Sequence, residues 1–135
     1  MSRTVTVTGG STITTTIESR QLVVGDGVRT ENAKPTTATA YKRGDLIAVN
    51  AANVATHPAV TSGVVGDWHA IVVEDMTAEQ STYHAANGLE MPIYVQGPFD
   101  VAVVTVNGTK LATNQVDAVR AQGLKNKIEL RKVVG

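Results

Sequence analysis

"MPIYVQGPFDVAVVTV", residues 91–106, is the stretch on which the fold turns. Residues 91–96 read as a strand opened by Pro92, since proline is tolerated where a strand begins and not in its middle. Gly97-Pro98 reads as a bend, and residues 99–106 read as a second strand. Both runs are rich in β-branched and aromatic residues and are bounded by turn formers, which is the strand signature. Asn107-Gly108 follows, the dipeptide best suited to a tight hairpin turn.

Upstream, residues 68–73 (WHAIVV) form the clearest buried strand, closed by Glu74-Asp75. Residues 46–49 (LIAV) lie between a turn at 42–45 and another at 50–53, and residues 54–58 are a weak strand candidate. Residues 30–40 carry little apolar weight and read as an extended connector outside the core, with Tyr41 re-entering it. Residues 21–24 read as a short strand stopped by Gly25-Asp26-Gly27. Residues 76–88 are small and polar. They predict a surface loop, with at most a helical turn at 78–80, and loops of this kind often carry recognition.

Downstream, residues 114–122 predict the single helix. Thr113 or Asn114 can cap it, Asp117 lies in its first turn, Val116 and Val119 share a face, and Gly123 is placed to end it in the left-handed conformation. Residues 127–134 alternate as a closing strand. Many short strands, frequent glycine turns and one short C-terminal helix predict a mainly-β fold, a small β-barrel or sandwich. Its expected core is Leu46, Ile47, Trp68, Ile71, Val73, Ile93, Val95, Val101, Val103, Ile128 and Leu130.

The chain opens differently. Residues 4–17, "TVTVTGGSTITTTI", contain neither charge nor proline. Val5 and Val7 alternate with Thr4, Thr6 and Thr8; Gly9-Gly10 interrupts; Thr12, Ile13, Thr14 and Ile17 resume the pattern. Strand edges in monomeric proteins are usually blunted by charge, proline or a bulge. This edge is not, which suggests a segment made to pair with another chain. The expected organisation is an arm over residues 1–30 and a β-rich domain over residues 31–135.

Composition narrows the function. The 135 residues carry 12 basic and 12 acidic side chains, a formal net charge of zero, so no positive face for phosphate neutralisation is expected. There is no cysteine, hence no disulfide, thiolate metal site or thiol nucleophile. The apolar runs are too short for a membrane-spanning helix, and Met1-Ser2-Arg3 does not lead into a signal-like apolar block. A protein made in a cytoplasm and not secreted is therefore expected. His57, His69 and His84 match no metal spacing, Glu74 and Asp75 face opposite ways on a strand, and no serine sits in a nucleophile elbow. No catalytic residue, metal or cofactor is expected.

Four stretches, in order, resemble the lambda-type head decoration proteins of tailed bacteriophages: "YKRGDLIA" (41–48), "WHAIVVEDMTA" (68–78), "MPIYVQGPFDV" (91–101) and "VDAVRAQGLKNKIELRKV" (116–133). The resemblance covers about two thirds of the chain and leaves the first forty residues unmatched. It implies a β-tulip-like domain without enzymatic activity. It also implies a homotrimer on the exterior of the virion capsid, made in the host bacterial cytoplasm, that cements an expanded head against the pressure of packaged DNA. The implied partners are the major capsid protein and further copies of the chain, with neither nucleic acid nor membrane. Residues Thr4, Val5, Thr6, Val7, Thr8, Gly9, Gly10, Thr12, Ile13, Thr14 and Ile17 would form the capsid-binding arm. Two other classes compete: a virion-surface or tail adhesin that recognises a receptor or glycan, and a small enzyme on a β scaffold.

Overall fold

The computed structural model describes residues 21–132 in full, and for residues 2–8 and 12–18 the strands alone. In chain order the elements begin with β1 (Ser2–Thr8), β2 (Thr12–Glu18), β3 (Arg29–Pro35), β4 (Leu46–Val49) and β5 (Val54–Thr56). A small hairpin, β6 (Val60–Thr61) and β7 (Val64–Val65), precedes β8 (Ala70–Val72), α1 (Ala78–Ala86) and β9 (Met91–Asp100). A second small hairpin, β10 (Thr105–Val106) and β11 (Thr109–Lys110), leads through a 3-10 turn (Thr113–Gln115) into α2 (Val116–Lys125) and finally β12 (Ile128–Arg131).

Residues 91–100 form one strand, not two parted by a bend. β9 is the pivot of the fold: its first half pairs antiparallel with both β3 and β8, and its second half pairs parallel with β12. Gly97 takes up the curvature with φ 134°, and a Cβ there would lie 3.0 Å from the Val28 backbone. Pro98 is tolerated because of strand parity. The Gly97 and Val101 amides donate to Lys127 and Arg131 on the β12 side, whereas position 98 faces the other way. There Pro98 serves as acceptor only, taking the Val24 amide at 3.1 Å, and the Asp100 amide donates to Leu22. Residues 21–24 accordingly make a single bridge, Val23 to Phe99, in place of the expected strand.

Six strands join in the order β12-β9-β3-β5-β4-β8, and β9 also pairs with β8. The pairings are staggered: β4 gives its first half to β8 and its second to β5, and β3 gives its first part to β9 and its end to β5. Two of the pairings, β12 with β9 and β3 with β5, are parallel.

The expectation of a mainly-β barrel or sandwich with one short C-terminal helix is therefore corrected. The fold is mixed α/β, with two helices among the described residues and a six-stranded mixed sheet. The missed helix is α1, where a loop was expected. Thr77 and Gln80 form a reciprocal capping box at its start, satisfying two otherwise orphan amides. It docks through hydroxyls: Ser81 Oγ accepts from the Thr39 amide and Thr82 Oγ1 from the Ala38 amide, so the helix carries no apolar stripe to read. Residues 30–40 likewise hold all of β3 but its first residue, with Ala33 fully buried, where a connector was expected.

The core divides into two clusters. One gathers Leu22, Leu46, Trp68, Ile71, Phe99, Val104, Ile128 and Leu130; the other surrounds Tyr41, Ile47, Val72 and Ile93. Of the expected core, Val73, Val95 and Val103 are half-buried at the margins and the others are buried. Gly123 does not end α2. The helix continues to Lys125, and Lys127, at φ 63°, takes the left-handed position. Gly123 is where the helix touches the core: a Cβ would lie 2.6 Å from the Ile128 carbonyl and 3.1 Å from the Trp68 ring. Asn107 and Gly108 both have positive φ (49° and 79°), as a type I′ hairpin turn requires. Buried Asp45 ties that hairpin to the turn at 42–45, accepting from the Lys42 and Gly108 amides and from the Thr105 hydroxyl.

Candidate functional site

The expected arm residues Thr4, Val5, Thr6, Val7, Thr8, Thr12, Ile13, Thr14 and Ile17 lie in β1 and β2; Gly9 and Gly10 fall outside the described residues. The two strands pair antiparallel, with Val7 opposite Ile13, Thr6 opposite Thr14 and Thr8 opposite Thr12. Directly opposed residues share a face. Val5, Val7, Ile13 and Ile17 therefore hold positions on one face together with Arg3 and Thr15, and Thr4, Thr6, Thr8, Thr12, Thr14 and Thr16 on the other together with Ser2 and Glu18. The pair is a two-stranded sheet separate from the six-stranded one. Among the described pairings each strand has only its sister as a neighbour.

The three histidines have structural partners. His69 Nδ1 accepts from the Val49 amide at 3.0 Å, which clips β4 to the segment before β8. His57 lies against the buried Tyr41 ring, 5.1 Å between centroids, with Nε2 2.7 Å from the Ala40 carbonyl. That distance to a carbonyl assigns the proton to Nε2. His84 Nδ1 lies 2.8 Å from the Gln80 carbonyl within α1. Asp75, one of the adjacent acids, accepts from the Arg43 amide at 2.8 Å. Among the described residues no three histidine, aspartate or glutamate side chains converge on a possible metal position, and no helix is long and apolar enough to cross a membrane.

Trp68 is fully buried, so it offers no shelf for a sugar ring. Tyr83 is exposed on α1, with His84 edge-on to it. The segment marked for secondary recognition is thus a docked helix, not a loop. Surface relief lies elsewhere, in two adjoining hollows along α2 that share Asp117 and in a third beside the Asn107-Gly108 turn. Sequence reasoning missed them, although one signal was present: residues 113, 116, 117, 120, 121 and 124 recur at helical spacing.

No protein-family model matches the chain, and no curated protein matches it.

Proposed function

We propose that the protein is a capsid decoration protein: it binds the outer surface of an expanded bacteriophage head as a homotrimer and stabilises the head against internal DNA pressure. The observation that carries this reading is the separate N-terminal hairpin. An isolated two-stranded hairpin is marginal in water and needs a further strand or an apolar surface to cover it. As a two-stranded sheet with Val5, Val7, Ile13 and Ile17 at positions on one face, together with Arg3 and Thr15, it is suited to adding strands to a coat subunit. Three such arms on a trimer would raise avidity by about 10²–10⁴ over a single contact. The four stretches resembling head decoration proteins support the same reading.

The test is co-sedimentation of the full chain with expanded, undecorated shells, titrated to saturation. Saturation near one copy per coat subunit is expected, with loss of binding on deletion of residues 2–18. Absence of binding, or binding at a few sites per particle, sinks the proposal in favour of a tail or surface adhesin.

A further inference from the structure

Helix α2 has two unlike faces. Val119 is buried in the core, and Gly123 lies against Trp68 and the Ile128 carbonyl without room for an added methyl. Thr113, Val116, Asp117, Arg120, Ala121 and Leu124 line two surface hollows of about 460 and 270 Å³ that meet at Asp117. The larger is walled by Val101, Ala102 and Leu111, with Lys110 and Lys132 also lining it. The smaller ends at Leu124, a leucine left 67% exposed to water.

The charges along this groove are not equally free. Arg120 is committed, its Nε donating to the Leu130 carbonyl at 2.7 Å, and Glu129 is paired with Arg131 at 2.9 Å. Lys110 and Lys132 make no ion pair among the described residues. The larger hollow is thus lined by two lysines outside any described ion pair and by one acidic residue, Asp117, beside an aliphatic wall; Lys110 also lines a hollow of about 380 Å³ beside Asn107 and Thr109. From Thr113 to Leu124 the stripe runs about 17 Å at helical rise, the span of about five residues of extended chain. Strand addition is not open here. The outward-facing Leu130 carbonyl of β12 is already taken by Arg120, and its Ile128 carbonyl lies against Gly123.

We infer that the α2 groove binds an extended, acidic peptide segment of a protein partner, its carboxylates at Lys110 and Lys132 and its small aliphatic side chains running toward Leu124. The inference rests on the decoration reading for the identity of that partner, a segment of the coat protein. It adds a second contact, on the domain, to the one made by the arm.

Two measurements test it. A blocked hexapeptide, two aspartates followed by alternating valine and alanine, is titrated to millimolar concentration into the ¹⁵N-labelled full chain, alongside a control with lysines for the aspartates. The expected result is saturable amide shifts at residues 110–111, 116–124 and 130–132. Binding is expected to be at least about tenfold weaker for the control peptide and for the Lys110→Glu/Lys132→Glu variant. Absent shifts, equal shifts from the two peptides, or shifts indifferent to charge reversal overturn the groove assignment. In shell co-sedimentation the same variant is expected to bind at least about tenfold more weakly, with a shallower salt dependence. Wild-type binding by the variant overturns the coat protein as the occupant. If the unmodified chain ignores shells, the decoration reading fails, and the peptide titration decides the groove by itself.

Discussion

Each strand of the six-stranded sheet finds a neighbour far along the chain, as β3 does in β9 and β9 in β12, whereas β1 finds its neighbour in the next element, β2. The two regions differ in residue type, threonine dominating the hairpin and large apolar side chains the core of the sheet. The sheet is locked by burial: Trp68, Phe99, Leu46 and Ile128 interlock from elements scattered through the sequence, so losing one loosens several. The hairpin is locked by local pairing and stands as a sheet of its own.

Trp68→Ala should strike hardest at the locked region, costing about 3–5 kcal/mol in urea unfolding. A loss below about 1 kcal/mol would break the picture of a shared core. Gly123→Ala comes next. Helix propensity favours alanine by about 1 kcal/mol, but the added methyl meets a backbone carbonyl and the Trp68 ring, and a net loss of about 1–3 kcal/mol is expected. A stabilised variant would show that α2 can withdraw from the core.

A smaller effect concerns pH. The hydrogen bond from Arg131 holds the Glu129 carboxyl below the usual range, so its contribution is present above the ordinary glutamate value and is lost as pH falls through the lowered one. Both groups are exposed, so Glu129→Gln should lower stability only slightly at neutral pH and flatten the acid limb of the curve, variant and parent converging at low pH. A difference between variant and parent that persisted undiminished at low pH would contradict this. The smallest effect sharpens the comparison most. Deleting residues 2–18 should change the stability of the remaining domain by less than about 1 kcal/mol, measured by calorimetry, and a collapse of the domain would make the hairpin part of the core.

The strands at 46–49, 70–72 and 91–96, the Asn107-Gly108 turn and most of the core were legible in the sequence. β-branched alternation and positive-φ turn residues act within a few residues of themselves, through local sterics. The two β strands of the N-terminal segment were legible for the same reason. Helix α1 was not, because its contacts run through Ser81 and Thr82 hydroxyls to the backbone at 38–39, and hydrophobic periodicity is blind to these.

What the sequence determined by itself was where the chain extends, where it turns and which side chains seek burial, since these follow from covalent geometry and side-chain chemistry at each position. Only the tertiary structure decided that β12 runs parallel to β9, that Gly97-Pro98 sits inside a strand, and that Gly123 is a contact point and not a stop. Each of these depends on which distant backbone lies across the gap: Val28 for Gly97, residues 22–24 for Pro98, Ile128 and Trp68 for Gly123. No local rule names a partner that folding alone brings near.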